Sequence, residues 1–471
     1  MTTKPQTTDR VCVVGAGPAG LVVARQLRAA GLPFDVFEKH SDVGGIWDPA
    51  NEGSPVYRTA HFISSKYTSG FYGHPMPEEY PDYPSWREIL QYIRDFAQAE
   101  NLYEHITFNA EVESAELLDD GTWDVTVGGE RRHYRALVVA PGVTWHPSTP
   151  EIAGRDTFTG QVMHSSVYFD SSTFAGKRVL VVGAGNSGVD IACDAAAGAD
   201  KAFLSVRRGY RFVPKHIFGV PSDVFINRGR PLPAGVTLPD DPGALVDALV
   251  GDLTRYGLPA PDHELTASHP ILNDQVIHYF QHGDLTAKPD VERLDGGDVV
   301  FIDGTREHVD VVVLATGYEY KIPFVDEALF EWKSGHPQLY LNIFNCTVDS
   351  LYVLGFIEFA DAAYHRFEEM AQLVAMDLTL EGADKEKFSE LKRTHQPNLR
   401  GEMTYIDTPR HANYVETNAY QAVLAEVRGQ FGVADLRDIY GPEEITLSRR
   451  PDPARATSPT TGPAPSLSTS R

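Results

Sequence analysis

Apolar positions along the chain gather into short runs broken by glycine turns, and two of these runs open the same way. Arg10-Val-Cys-Val-Val14 leads into Gly15-Ala-Gly17-Pro-Ala-Gly20 and then an Ala/Leu-rich stretch with helical spacing. The pattern returns as Lys177-Arg-Val-Leu-Val-Val182, Gly183-Ala-Gly185-Asn-Ser-Gly188 and Val189-Asp-Ile-Ala-Cys193. Each reads as strand, tight turn and helix. Further strands are predicted at Phe34–Phe37, near 105–114, near 122–128, at Ala136–Ala140 before Pro141-Gly142, at Ala202–Val206 and at Val309–Ala315. Helices are predicted over Ser85–Glu100, with Ser85 as cap and Glu88 at the capping-box position, over Ala244–Tyr256, over Arg366–Thr379 and over Asn418–Gln430.

This alternation predicts an α/β fold with two Rossmann-like dinucleotide-binding domains. The second unit begins before the first has finished its elements, so it reads as an insertion. The expected division is 9–155 for the first part of the first dinucleotide-binding domain, 156–305 for the second, inserted one, and 306–446 for the second part of the first with C-terminal helices. Residues 447–471 are Ser/Thr/Pro-rich and are expected to form a disordered tail.

The glycines let the backbone turn and approach a pyrophosphate, which the orphan N–H groups of the helix N-terminus then bind. The end of each second strand separates the two ligands. Phe34–Phe37 ends in Glu38, 18 residues past Gly20. A carboxylate there accepts hydrogen bonds from a free ribose 2′-OH and repels a 2′-phosphate, which suits FAD or NAD. Ala202–Val206 ends in Arg207-Arg208, beginning 19 residues past Gly188. Guanidinium groups suit the additional phosphate of NADPH. A solvated surface pair is the plainer reading of those arginines.

Composition narrows the class. A net charge of −24 argues against a nucleic-acid or anionic-membrane surface. No apolar run approaches the ~20 residues of a membrane helix, and the polar N-terminus lacks a signal-peptide core. Cys12, Cys193 and Cys346 are isolated, so no paired redox cysteine is available, and a cytoplasmic address is expected. No metal-ligand motif, catalytic carboxylate pair or nucleophile–base triad stands out, so no metal is expected.

Three segments, Phe158–Tyr168, Gly44–Trp47 and Ala315–Tyr318, make the chain resemble the flavin-containing monooxygenases of bacterial type, over nearly all of residues 9–440. Phe158-Thr-Gly160-Gln-Val-Met-His164-Ser-Ser-Val-Tyr168 is similar to that family's FxGxxxHxxxY/F signature, where related Baeyer–Villiger enzymes carry Trp in place of Tyr168. Gly44-Gly45-Ile46-Trp47 is similar to the family's GGxW, and Ala315-Thr316-Gly317-Tyr318 to its ATGY segment. The resemblance implies cofactor contacts from Gly15, Gly17, Gly20, Glu38, Gly45, Ile46, Trp47, Gly183, Gly185, Asn186, Ser187, Gly188, Arg207, Arg208, Thr316 and Gly317. It implies FAD and NADPH as cofactors, and a flavin C4a-hydroperoxide that inserts one atom of O₂ into an amine nitrogen or a sulfide. Baeyer–Villiger oxygenation of a ketone is the alternative, and an uncoupled NADPH oxidase producing H₂O₂ is a third reading. The partners implied are a small-molecule substrate and O₂, with neither nucleic acid nor membrane, and a homodimer is compatible.

One position departs from the family. Tyr57-Arg-Thr-Ala-His61-Phe-Ile63-Ser-Ser65-Lys66 runs along the family's YxSxxxNxSK segment, and Ile63 stands where the family carries Asn near the flavin. Isoleucine offers no hydrogen bond. His61 and Ser64 are the neighbouring candidates to replace that function. His164 reads more simply as a histidine that fixes a linker than as a proton-transfer group.

Overall fold

The computed structural model describes residues 9–228, 232, 234–360, 362–441 and 447. The tail expected over 447–471 therefore lies outside the described residues, Leu447 excepted. Two five-stranded sheets, parallel throughout, carry the architecture. The first has the order Leu351–Val353, Ala136–Val139, Val11–Val14, Phe34–Phe37, Ile106–Thr107. Ala136–Val139 and Val11–Val14 are apolar and buried at every position, as strands covered on both faces of a parallel sheet are. The second has the order Leu285–Lys288, Lys201–Ser205, Arg178–Val182, Val311–Leu314, Gln161–His164.

The strand Val311–Leu314 corrects the predicted domain boundary at 305/306. It was expected to begin the return to the first domain, yet it pairs with Arg178–Val182 and Gln161–His164 in the second sheet. The cause is duplication. In the first domain a three-stranded antiparallel meander (Val112–Leu117, Trp123–Val127, Glu130–Tyr134) precedes Ala136–Val139. In the second, a like meander (Val291–Asp295, Asp298–Phe301, Arg306–His308) precedes Val311–Leu314. The similarity between the two valine runs thus marks equivalent places in two domains. The chain rejoins the first sheet only at Leu351–Val353.

A second correction concerns the strand expected near 105–114. Ile106–Thr107 belongs to the main sheet and Val112–Leu117 to the meander. Asn109 separates them in the left-handed region, at φ +53°, where Asn is tolerated better than most residues.

The predicted helices are present as Trp86–Ala99, Ala363–Thr379 and Thr417–Gln430. Ser85 N–H donates to Glu88 Oε2 at 2.6 Å, the return arm of the capping box. The stretch read as one helix over Ala244–Tyr256 is Pro242–Val250 followed by a separate 3-10 turn at Leu253–Tyr256, with Gly251 at positive φ between them. Among the described residues no helix is long and apolar enough to cross a membrane.

Candidate functional site

Each glycine turn is shaped by its neighbours in the same way. Gly15 and Gly183 both sit at φ +103°, and a Cβ on either would strike a carbonyl oxygen at the end of the adjacent strand, Ala140 and Ala315 respectively. Cβ atoms at Gly20 and Gly188 would collide with the carbonyls of Gly15 and Gly183. Those four glycines are therefore demanded by backbone packing. Gly185 is different: beyond its own chain neighbours, no atom of the described residues lies within 4 Å of the place its Cβ would take. That side of the turn is open for a ligand.

The helices that follow, Pro18–Ala29 and Asn186–Gly198, begin at Gly17 and Gly185 without any side-chain cap. Helices starting at Pro242, Thr417 and Leu436 are each capped by a carboxylate. Uncapped N–H groups with the positive end of the helix dipole fit a pyrophosphate at both turns.

Glu38 is 5% exposed at the end of its strand. Its Oε2 accepts the Ala16 N–H at 2.7 Å and its Oε1 accepts the His40 N–H at 2.9 Å. Burial pushes the carboxyl up, but the bonds from the His40 ring and the two backbone N–H groups outweigh it and hold the pKa below the ordinary range. The carboxylate thus lies ionised against the first glycine turn. Gly45 packs on the other side of that turn, its own Cβ position 3.2 Å from Gly17 Cα. The Gly45–Trp47 turn is held by Asn51 Nδ2 to the Gly45 carbonyl (2.7 Å) and Ser54 Oγ to the Ile46 carbonyl (2.6 Å). Trp47 is half-buried and meets Phe62 edge-on at 5.4 Å.

At the second turn, Arg207 is exposed and makes no ion pair or hydrogen bond among the described residues. Arg208 is half-buried with its guanidinium 5.2 Å from the Tyr210 ring. Asn186 and Thr316 serve the framework: Asn186 bonds Pro270 O and Leu272 N–H, each at 3.3 Å, and Thr316 Oγ1 donates to Ser148 O at 2.6 Å. Gly317 offers its carbonyl to His164 Nε2 at 3.1 Å, while His164 Nδ1 accepts the Ser166 N–H at 3.1 Å. Those partners make Nε2 the protonated nitrogen. Burial lowers the His164 pKa, only partly offset by the Gly317 bond, so the ring is neutral at pH 7.

The two neighbours of Ile63 that could replace its missing hydrogen bond are placed differently. His61 is exposed and its Nδ1 lies 2.8 Å from Thr59 O, and Ser64 Oγ accepts from Ser69 Oγ at 2.7 Å. Sequence reasoning missed Asp190 and Asp194, which Tyr57 and Thr59 engage across the domain junction. The signal was present: two carboxylates four residues apart inside an otherwise apolar helical run.

Two like glycine turns, one flanked by a buried carboxylate and the other by an exposed guanidinium group, suit an oxidoreductase of two nucleotides. The sequence matches the FMO-like family, flavin-binding monooxygenase-like, over residues 8–379. Flavin-containing monooxygenase 3 of Homo sapiens is 32% identical over 381 residues, covering 75% of this chain and 70% of that one. Dimethylaniline monooxygenase [N-oxide-forming] 2 of Macaca mulatta is 31% identical over 360 residues, covering 71% and 66%. A solved cyclohexanone monooxygenase in its open form shares the fold at TM-score 0.66 and 18% identity, over 90% of this chain and 98% of that one. The chain belongs to the flavin-binding monooxygenase-like family. It is an NADPH-dependent monooxygenase that binds FAD.

Proposed function

We propose that the enzyme oxygenates a soft nucleophile, an amine nitrogen or a sulfide sulfur, with Gly15–Gly20 and Glu38 holding FAD and Gly183–Gly188 with Arg207 and Arg208 holding NADPH. The observation that carries the assignment of the two sites is the contrast at the strand ends. Glu38 is ionised, buried and already oriented by Ala16 and His40, as a ribose-diol acceptor should be. Arg207 is exposed and unpartnered, as a 2′-phosphate ligand should be before its anion arrives.

When bound, FAD accepts hydride from NADPH and activates O₂; the protein supplies position and shielding. The uncapped helix N-termini at Gly17 and Gly185 would draw in each pyrophosphate. Gly45, Ile46 and Trp47 would form a wall of the flavin site, since Gly45 already touches the Gly17 turn. His164, neutral and bonded to Gly317 O and Ser166 N–H, would fix the linker and move no proton.

Nitrogen or sulfur is favoured over a ketone by two facts. Relatives above 30% identity include an N-oxide-forming monooxygenase, whereas the likeness to cyclohexanone monooxygenase is one of fold. Tyr168, standing where Baeyer–Villiger enzymes carry Trp, spends its hydroxyl on Asp194 at 2.8 Å. Cytoplasmic operation is part of the same proposal, supported by Cys12 and Cys193 as buried free thiols.

The test is product stoichiometry. Holoenzyme is supplied with NADPH, O₂ and a panel of tertiary amines, sulfides and cyclic ketones, and N-oxide, S-oxide, ester and H₂O₂ are measured against NADPH consumed. Oxygenated amine or sulfide in step with NADPH supports the proposal. Ester as the sole product, or H₂O₂ equal to NADPH with every substrate, overturns it.

A further inference from the structure

Three consecutive residues of the first domain each hold a carboxylate of the second. Tyr57 Oη donates to Asp190 Oδ2 at 2.7 Å, Arg58 pairs with Asp170 at 2.7 Å, and Thr59 Oγ1 donates to Asp194 Oδ2 at 2.7 Å. Asp190 and Asp194 lie one turn apart on Asn186–Gly198, the helix whose open N-terminus borders Gly185. Asp170 lies in the same domain, on the connection between its strands Gln161–His164 and Arg178–Val182. The backbone joins in, since Arg58 N–H donates to Phe169 O at 2.7 Å.

Tyr168, the last residue of the signature segment, completes the arrangement. Its hydroxyl reaches Asp194 Oδ2 at 2.8 Å, the same oxygen that Thr59 engages, and its ring stacks on Phe174 at 4.9 Å and 8°. Asp190 is fixed from its other side by Asn273 Nδ2 at 2.7 Å. Val56, Tyr57 and Ala60 are buried within the second domain's apolar core although they belong to the first domain's chain. Burial raises the pKa of both Asp190 and Asp194, and the hydroxyl donors offset part of that rise. These are desolvated contacts, where a missing donor leaves a buried acceptor unsatisfied.

From this clasp a chain of contacts runs to the first nucleotide turn. Asp190, in the first turns of the Asn186–Gly198 helix that opens at Gly185, holds Tyr57. The loop continues from Thr59 to Phe62 and Ile63, Phe62 meets Trp47 at 5.4 Å, and Trp47 ends the turn whose cap, Gly44, donates its N–H to Ala16 O at 3.2 Å in the first glycine turn. We propose that the Tyr57–Thr59 clasp, completed by the Tyr168 hydroxyl, is the positioning device through which occupancy of the NADPH turn sets the flavin-side loop bearing Phe62 and Ile63. Tyr168 and Thr59 are thus positioning residues that act through Asp194. The inference rests on the two-cofactor assignment and is independent of which substrate is oxygenated.

The experiment titrates FAD-loaded enzyme with NADP⁺, recording the visible flavin spectrum together with NADP⁺ affinity by calorimetry. Tyr168→Phe keeps the ring on Phe174 and removes one donor; Thr59→Val removes the other with little change of shape. Each variant should bind NADP⁺ within about twofold of the native affinity, a lost donor outside the phosphate site leaving the phosphate contacts intact. The NADP⁺-induced flavin difference spectrum should shrink, and the H₂O₂ share of NADPH consumed should rise roughly tenfold. The double variant should fall short of the product of the singles, because both donors serve one oxygen. Arg58→Gln, whose arginine is largely exposed, should do less.

A native-sized difference spectrum and H₂O₂ share in both single variants would overturn the proposal. So would weakened NADP⁺ binding with an unchanged spectral response, which marks a structural role alone. The spectral reading stands even where no tested amine, sulfide or ketone is turned over, so its failure is separable from failure of the substrate assignment.

Discussion

The Oε2 atom of Glu38 accepts the backbone N–H of Ala16 at 2.7 Å, so the carboxylate expected to bind ribose also braces the turn expected to bind the pyrophosphate. Glu38→Gln keeps the shape and loses the charge. FAD affinity should fall roughly tenfold, read as FAD released on dilution followed by fluorescence, while NADPH affinity stays unchanged. The sign of the pH effect follows from the depressed pKa. The stability Glu38 contributes is present above the ordinary carboxyl value of 4.5 and is lost as pH falls through its lower folded value. The variant should therefore show a flatter loss of stability below pH 4.5.

The glycines of the second turn should separate into two kinds. Gly188→Ala places a Cβ on the Gly183 carbonyl and should cost about 3 kcal/mol or more, lowering Tm with no ligand present. Gly185→Ala meets open space, so Tm should hold and only the KM for NADPH should rise. Equal thermal damage from both would contradict the open face.

Arg207 is exposed and without partners among the described residues, so Arg207→Ala should leave the stability to unfolding within about 0.5 kcal/mol of native. It should raise the KM for NADPH by about 1.5–3 kcal/mol, the worth of a charged hydrogen bond, and leave that for NADH nearly unchanged. An equal rise for both nucleotides would show that Arg207 does not read the 2′-phosphate.

Ile63→Asn restores the donor that related enzymes place beside the flavin. In a closed site such a donor is worth about 3 kcal/mol, so the H₂O₂ share of NADPH consumed should fall sharply. An unchanged share would mean that the native enzyme shields its reaction by other groups.

Acid lability should come largely from histidines kept neutral by burial. Burial, with Arg410 and other cations nearby, lowers His411 to about 4, and His164 and His269 are lowered as well. Their unfolded forms take up protons below the ordinary value of 6.5, so stability falls as pH drops from there toward 4. His411→Gln should remove on the order of 2 kcal/mol of that pH dependence, measured by urea midpoints between neutral and acid pH.

Sequence pattern revealed the local units well, because a strand buried on both faces and a glycine turn are written in adjacent residues. Val11–Val14, the Gly17 and Gly185 helix starts and the Ser85–Glu88 box were all visible in that way. Partnership between sheets was not. Val311–Leu314 has the same apolar pattern whichever sheet it joins, and only its pairing with Arg178–Val182 decides. Likewise Tyr57, Thr59 and Tyr168 gave no sign that their hydroxyls converge on one helix, since that convergence depends on two domains meeting. The strand-end charges of Glu38 and Arg207 were legible because their place is fixed by a count of residues from the glycines.

The return of the chain at Leu351–Val353 has a consequence for biosynthesis. Every strand of the second sheet lies between Gln161 and Leu314, while the first sheet awaits a partner for Ala136–Val139 that is made later. During synthesis from the N-terminus, the inserted domain can close while its host still has an open edge. The host is then finished around a guest already folded.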